Sequence, residues 1–267
     1  MPLLVTDAIV LHAFDYLESS RIVRMVTREA GLRSALAKGA RKSRKRFGSG
    51  LDLFAQGTAH LYGKPGRDLD TLSAFEDARS RHELALDLER FAGAEMIAEI
   101  VLRLGGEGQS DAQLFESVEE AFDGLASAQP CDARERALAG AWRVIAALGV
   151  EPAVVSCAEC DTPIADDEPV AFSYAAGGVL CPKCAVTAAV DRTLPPEARR
   201  ALAGWLAGEH RGELGDAESR AHQRLLREFI AYHLHDAAGK SLRAFELWER
   251  TSWSDASRQP PAASSLK

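Results

Sequence analysis

Long apolar runs are absent from this 267-residue sequence. No stretch reaches the roughly 18 consecutive apolar residues that a membrane-spanning helix needs, which excludes such a helix. The first ten residues also lack a basic start, an apolar stretch and a small-residue cleavage site, so we expect no secretory signal. These absences predict a cytoplasmic protein without a membrane partner, and the length suits about two or three domains.

A persuasive catalytic motif is also lacking. The G-K-S sequence at residues 239–241 is similar to the end of a phosphate-binding loop, but Leu234 stands where the motif needs its first glycine. We therefore expect that the protein is not an enzyme. The rival hypothesis, a zinc-dependent nuclease or a nucleotidyl-transfer factor, would need an acid cluster or an open metal site.

Acidic residues are missing between Glu29 and Asp52, and this gap contains K-G-A-R-K-S-R-K-R at residues 38–46, which we call the basic segment. The chain as a whole has a formal net charge of −7. Residues 1–80 carry 13 Lys and Arg against nine Asp and Glu, whereas the rest of the chain has a net charge of −11.

Alternating apolar and polar residues predict five short β-strands in the first 80 residues. They lie at residues 7–14, 20–27, 31–38, 53–62 and 69–75, with turns rich in Gly between them. Five short strands in about 75 residues favour an oligonucleotide-binding (OB) barrel. The basic segment would then lie between the third and fourth strands.

Beyond residue 78 the apolar residues follow a helical period. One predicted helix ends at Gly105, a second opens at Ser110, a third opens at Asp132, a fourth starts at Pro195-Pro196, and a fifth covers residues 217–235. The last residues, 254–267, are rich in Ser, Ala and Pro, which predicts disorder.

Four of the five cysteines form two C-x-x-C pairs separated by 20 residues: Cys157, Cys160, Cys181 and Cys184. Two such pairs can bring four thiolates around one Zn²⁺ ion, and four thiolates leave no open position, so we expect a structural zinc. A cytosolic setting disfavours disulfides, and the spacing fits zinc better than an iron–sulfur cluster. With a hairpin predicted around Gly177-Gly178, this pattern indicates a zinc ribbon.

The sequence therefore predicts an α+β multidomain protein. Its expected parts are an OB-fold domain at residues 1–79, an α-helical domain at residues 80–152 and 190–250, a zinc-ribbon insertion at residues 153–189, and a disordered tail at residues 254–267.

Several motifs together resemble the RecO family of bacterial DNA repair and recombination mediators. They are K-G-A-R-K at residues 38–42, R-F-G at residues 46–48 followed by Leu51 and Phe54, A-I-V-L at residues 8–11, the four-cysteine insertion, and Y-H-L at residues 232–234. The resemblance covers about residues 3–250. It implies binding to single- and double-stranded DNA and annealing of complementary strands without ATP. It also implies contact with RecR and with the single-stranded-DNA-binding protein (SSB), so that RecA loads onto coated strands in the nucleoid.

Phosphate contacts are expected from the cations of the basic segment, Lys38, Arg41, Lys42, Arg44, Lys45 and Arg46. Arg21, Arg24 and Arg33 are secondary candidates, because strand alternation could place them on the same exposed face. Phe47 is the expected base-stacking aromatic, whereas Phe54 and Tyr62 are expected in the core.

The acidic C-terminal tail of SSB would need an apolar surface rimmed by cations, for which the sequence offers Arg227, Lys240 and Arg243. An alternative hypothesis is an RNA-binding or transcription accessory protein with an OB head and a structural zinc.

Overall fold

The structure, a computed structural model, describes residues 3–41, 44–47, 51–63, 69–106, 112–165, 167–212, 214–233 and 242–254. Of residues 44, 45, 77 and 252–254 only the backbone is described. The chain forms an N-terminal barrel and then a helical region, into which the cysteine-containing segment is inserted.

The barrel contains five strands, β1 (Leu3–Tyr16), β2 (Ser20–Thr27), β3 (Gly31–Ala37), β4 (Gln56–Tyr62) and β5 (Leu69–Arg79). They close in the order β1-β2-β3-β5-β4, with β4 pairing back to β1 and β3 parallel to β5. This topology confirms the predicted five-stranded OB-type barrel. The basic segment does lie between β3 and β4, where Arg44–Phe47 form a single helical turn, α1.

Strand β1 contributes to two different cores, because its successive side chains point to opposite faces. Ala8 and Val10 lie in the interior of the barrel, which also contains Val23, Met25, Ala35, Ala37, Phe47, Leu51, Ala59, Leu61, Leu72 and Phe75. Ile9 and Leu11 face the other way and pack into the core of the helical region. The barrel wall is therefore also part of the helical core.

The helical region contains α2 (Leu88–Leu104), α3 (Ala112–Ser127), α4 (Ala133–Ala147), α5 (Pro196–Leu206), α6 (Asp216–His233) and α7 (Arg243–Ser254). A short 3₁₀ helix at His82–Leu86 precedes α2. The predicted helix starts near Asp132 and Pro196 are confirmed. Helix α7 was not predicted, and the predicted disordered tail begins inside its last turn; residues 255–267 lie outside the described residues.

Small residues let the central helices approach each other closely. A Cβ atom added at Gly140 of α4 would lie 2.8 Å from Ala121 Cβ on α3, and one at Gly93 of α2 would lie 2.9 Å from Ala137 Cβ. Trp142 fills the space behind this contact, is fully buried, and has its ring 5.1 Å from that of Phe229. This packing forms the largest core of the protein.

The inserted segment contains a three-stranded sheet in the order β7-β6-β8, with β6 at Val170–Ser173, β7 at Gly178–Leu180 and β8 at Arg192–Leu194. The predicted hairpin is confirmed as β6 and β7, and β8 is an additional strand. Phe172 of β6 packs 6.2 Å from Phe229 of α6, so the segment rests on the helical core. The domain limits drawn from the sequence stay predictions.

A buried polar contact joins the barrel to the helical region. Arg81, whose side chain is 3% exposed, donates to Phe54 O at 2.8 Å, to Gln56 Oε1 at 2.7 Å and to Asp123 Oδ1 of α3 at 2.6 Å. Burial lowers the pKa of the Arg81 guanidinium, and the bond to Asp123 opposes that effect. The Phe54 ring lies edge-on to Phe122 at 4.9 Å, which confirms that Phe54 is a core residue. We call this group the Arg81 contact.

Among the helices that the structure describes, none has the combination of length and apolar character that crossing a bilayer requires.

Candidate nucleic-acid interface and metal centre

The basic segment leaves the end of β3 and turns back against the β1–β2 hairpin. Gly39 has a φ of +71°, a left-handed conformation that favours glycine at this turn. Arg41 N then donates to Ser19 O at 3.1 Å, in the turn between β1 and β2. The Arg41 side chain is half-exposed and lies 3.6 Å from Asp15. The start of the segment, up to Arg41, is thereby fixed beside the hairpin.

The remaining cations of the basic segment are described to different extents. Lys38 and Arg46 are exposed, and Arg46 Nη2 donates to Lys38 O at 3.0 Å, which ties the two ends of the segment together. Arg44 and Lys45 belong to α1, with only their backbone described, and Lys42 lies outside the described residues. Their assignment as phosphate contacts stays a prediction.

The expectation that Phe47 is an exposed stacking aromatic is wrong. Its side chain is only 2% exposed and belongs to the barrel interior, together with Leu51 and Phe75. Helix α1 turns the ring inward, where it closes the barrel, and burial of a phenylalanine contributes roughly 2 kcal/mol to stability. The neighbouring Arg46 guanidinium lies 5.2 Å from the ring centroid on its outer side.

Arg21, Arg24 and Arg33 do not share one exposed face, so that expectation is also wrong. Arg21 and Arg24 are three residues apart on β2, and an odd separation places two side chains on opposite faces of a strand. Arg24 Nη2 donates to Leu102 O, at the end of α2.

Arg33 neutralises a carboxylate in the barrel. Its Nε donates to Asp70 Oδ2 at 2.7 Å, and the Asp70 side chain is 1% exposed. Arg21 lies 3.0 Å from Asp15 and stays near the basic segment. The sequence could not identify the Asp70 partner, since it follows 37 residues after Arg33.

Sequence analysis missed the exposed aromatic side chains on β1. Phe14 and Tyr16 are each 43% exposed, and the ring of His12 lies 5.6 Å from that of Phe14. The alternation H-A-F-D-Y at residues 12–16 is the signal that could have found them, since alternate residues share one face of a strand.

The four cysteines of the predicted metal site come together. Their Sγ atoms all lie within 4.8 Å of one another, and those of Cys160 and Cys181 are 3.8 Å apart. A tetrahedral ion with metal–sulfur bonds of about 2.3 Å has sulfur–sulfur edges of about 3.8 Å, so the donors fit such an ion. Cys157 is fully buried and Cys181 nearly so, whereas Cys160 is exposed.

The local backbone explains why these thiols converge. Cys157 O accepts from Asp161 N at 2.9 Å, and Cys181 O accepts from Ala185 N at 2.9 Å, so each pair closes a tight turn. Burial raises the pKa of the Cys157 thiol, but hydrogen bonds from nearby backbone N–H groups outweigh burial and lower it to about 6. Hydrogen bonds to the other thiols raise the pKa of Cys184 to about 12. A bound cation would favour ionisation of all four, because metal ligands are thiolates.

Of the three cations predicted for partner binding, one is in an ion pair, one is exposed and one lies outside the described residues. Arg227 of α6 forms an ion pair with Glu249 of α7 at 3.0 Å. The Arg243 side chain is exposed, and its backbone N–H donates to Glu99 of α2 at 3.0 Å, so a carboxylate lies at the start of α7. Lys240 lies outside the described residues.

Comparison with known proteins gives a consistent result along the chain. Residues 1–81 match the family described as recombination protein O N terminal, and residues 85–243 match recombination protein O C terminal. A DNA repair protein RecO from Anaeromyxobacter sp. (strain K) is 36% identical over 233 residues, which cover 85% of this chain and 89% of that protein.

Two other relatives support the same assignment. The DNA repair protein RecO of Desulfatibacillum aliphaticivorans is 30% identical over 91% of this chain and 96% of its own length. That of Rubrobacter xylanophilus is 33% identical over 89% and 95%, respectively. The chain therefore belongs to the RecO family, whose role is DNA repair and recombination.

Proposed function

We propose that this protein is a recombination mediator that binds single- and double-stranded DNA and anneals complementary strands without ATP. It would act with RecR to load RecA onto SSB-coated DNA in the cytoplasm, at the nucleoid. The main support for this proposal is that the start of the basic segment, at Arg41, is held against the β1–β2 hairpin of an OB-type barrel. OB barrels bind oligonucleotides with the face of strands 2 and 3 and with the loop between strands 1 and 2.

The phosphate contacts in this proposal are Lys38, Arg41, Lys42, Arg44, Lys45 and Arg46. Arg21 is an additional candidate, since it shares the Asp15 carboxylate with Arg41. We assign structural roles to Arg24 and Arg33, because they bond to the end of α2 and to buried Asp70. Each phosphate that a cation neutralises releases condensed counterions, so binding should weaken steeply with salt.

Annealing follows from the same charge. A cationic surface that holds two complementary strands lowers their mutual repulsion, and base pairing then supplies the free energy. No hydrolysis is needed, which agrees with the proposal that the protein is not an enzyme.

For the cysteine cluster we propose one structural Zn²⁺ ion, bound by Cys157, Cys160, Cys181 and Cys184. Four thiolates saturate a tetrahedral ion, so no position remains for a water or a substrate. The ion would hold the inserted sheet together, and the chemistry of DNA binding would stay with the barrel.

For the acidic tail of SSB we propose the surface at the end of α6 and the start of α7, with Arg227, Lys240 and Arg243. An acidic peptide would compete there with Glu249 for Arg227. An SSB-tail peptide that bound a charge-reversed Arg227→Glu/Arg243→Glu variant as tightly as the wild type would exclude this surface.

The main experiment measures annealing of two SSB-coated complementary oligonucleotides without ATP. We expect the wild type to accelerate annealing and a Lys42→Gln/Arg44→Gln/Lys45→Gln variant to lose most of this effect. Loss of three phosphate contacts should also reduce the salt slope of single-strand binding by about 2.

A matched control removes three positive charges elsewhere, with Arg220→Gln/Arg224→Gln/Arg250→Gln on exposed positions of α6 and α7. Because α6 and α7 carry the proposed SSB surface, this control is compared with the wild type on oligonucleotides without SSB. There it should anneal like the wild type, because its charges lie far along the chain from the basic segment. No acceleration by folded wild type, or equal loss in both variants, would contradict the proposal. Competition between DNA and RNA of matched sequence tests the RNA-binding alternative, which family membership does not favour.

A further inference from the structure

A β-bulge in β1 changes the face that its side chains occupy. The pairing of β1 with β2 shifts register between Val10 and His12. Before the bulge Ala8 and Val10 point into the barrel, and after it Ala13 is the residue that packs against the interior. Bulges commonly re-aim side chains in this way. Without this one, continued alternation would turn His12, Phe14 and Tyr16 inward.

The re-aimed aromatic side chains lie on an apolar face. Phe14 is opposite Ile22 on β2, and Ile22 is opposite Leu36 on β3, so one row crosses three strands. Leu17 at the hairpin turn is 76% exposed. We call the outward residues of this row and its flanks the hairpin face: His12, Phe14, Tyr16, Ile22 and Leu36. An exposed apolar patch of this kind marks a surface for a ligand or partner.

The later part of β1 also lies at an open edge of the barrel. Strand β1 pairs with β4 from Leu3 to Ile9, and in the described residues its later part pairs along the strand only with β2. The hairpin nevertheless stays part of the sheet, since residues 21–24 of β2 pair with β3. Its exposed rings add little packing to the fold, which points to a role in binding.

The charges around the hairpin face identify the kind of ligand. Asp15, between Phe14 and Tyr16 in sequence, points to the opposite side of the strand, where Arg21 and Arg41 neutralise it at 3.0 and 3.6 Å. Arg41 of the basic segment is held against the same hairpin by the bond from its N–H to Ser19 O. Aromatic rings beside a cationic track are the combination that binds single-stranded nucleic acid, since bases stack on the rings while cations hold the phosphates.

We propose that Phe14 and Tyr16 of the hairpin face stack unpaired bases of single-stranded DNA, in the place that the sequence had assigned to Phe47. This inference rests on the proposed DNA binding and deepens it. Bases of a duplex are already stacked on one another, so they cannot use these rings. The hairpin face would therefore make the protein prefer single strands, while the basic segment serves both forms of DNA.

The test compares binding of oligo(dT) and of a duplex of matched length to Phe14→Leu and Tyr16→Leu variants. Leucine keeps apolar area at the position and removes the ring. We expect at least about a 5-fold loss of oligo(dT) affinity for each ring removed. Duplex affinity and the salt slope should stay at the wild-type values, because no phosphate contact is lost.

The matched control is Leu3→Ala/Val5→Ala, at residues that are 47% and 48% exposed at the other end of β1. This control should bind both DNA forms like the wild type. The conservative variants Phe14→Tyr and Tyr16→Phe should also keep oligo(dT) affinity, since each keeps a ring. Circular dichroism of every variant would establish that the barrel is folded.

Two results would overturn the inference. One is wild-type oligo(dT) affinity in both leucine variants, as expected if this edge of β1 pairs with a protein strand instead. The other is an equal loss for duplex and single strand, which would indicate damage to the barrel. A wild type that binds no DNA would contradict the proposed function itself and is thereby distinguished from both.

A second measurement uses the unmodified protein and so does not depend on how a variant folds. An oligonucleotide that carries a photoreactive thymidine analogue would be crosslinked to the wild type, and the attached peptide identified by mass spectrometry. Crosslinks within residues 12–16 would support the inference. Crosslinks confined to other parts of the chain would overturn it.

Discussion

The barrel and the helical region fill their interiors with side chains of very different size. Several of the barrel's inward positions carry alanine, and its largest interior residues are Phe47 and Phe75. The helical core contains Trp142, Trp205 and Trp248, all fully buried. Hydrophobic stabilisation grows with the apolar area buried, so the barrel gains less from its own interior.

The two regions also differ in charge, and the difference explains how they depend on each other. Residues 1–80 have a net charge of +4 within a chain of −7, so the barrel concentrates charges that repel one another. This repulsion is offset by the packing of Ile9 and Leu11 into the helical core and by the Arg81 contact. The helical region therefore stabilises the barrel, which is the region proposed to bind DNA.

The largest expected effect comes from breaking the proposed zinc site, in the segment inserted into the helical region. Cys181→Ser removes one of four thiolates, and structural zinc binds zinc-finger peptides with roughly 10–16 kcal/mol. We expect the variant to lose its zinc, measured as zinc per chain by atomic emission, and to lose hydrogen-exchange protection in β6 and β7. Cys131→Ser, at an exposed cysteine outside the cluster, should keep full zinc content. Equal zinc content in the two variants would refute the assignment of the ligands.

A smaller effect is expected where the two regions meet. Arg81→Ala leaves Phe54 O and the Gln56 and Asp123 side chains without their buried donor, which should cost about 2–3 kcal/mol of unfolding free energy. Arg79→Ala removes a half-exposed partner of the same Asp123 and should cost less than about 1 kcal/mol. Urea denaturation measures both values. Similar costs for the two variants would show that the Arg81 contact does not link the regions.

The smallest expected effect is a pH dependence of the stability that the Arg81 contact contributes through Asp123. Burial raises the pKa of Asp123, but hydrogen bonds from Arg79 and Arg81 outweigh burial and hold this pKa below its ordinary value. A lowered pKa in the folded state gives stability that is present above the unfolded pKa and is lost as the pH falls through the folded one. Asp123 is 41% exposed, so solvent screening limits the contribution to under about 1 kcal/mol. The stability difference between wild type and Asp123→Asn should shrink from neutral pH to about pH 3. A difference that stays constant would contradict this origin.

The sequence predicted the elements whose periodicity is regular and local. The span Ser20–Thr27 was predicted without error because its apolar and polar residues alternate along the strand. The four cysteines were predicted as one cluster because paired C-x-x-C spacing restricts how the chain can fold around an ion.

Features that depend on distant partners could not be predicted. Phe47 looks like a loop residue between Arg46 and Gly48, and only the packing of α1 against the barrel shows that its ring turns inward. The bulge after Val10 reverses the alternation that assigns Phe14 to a face. Helix α7 is short, and the burial of its Phe245 and Trp248 depends on packing against distant elements such as α2.

The packing of α7 on α2 has a consequence for how the protein forms during synthesis. Helix α2 follows directly after the barrel, whereas α7 contains the last residues that the structure describes. A ribosome therefore releases the whole barrel long before Trp248 can complete the helical core. Since domains generally fold as units and N-terminal ones first, we expect a nascent chain whose barrel is closed while one side of α2 still lacks its cover.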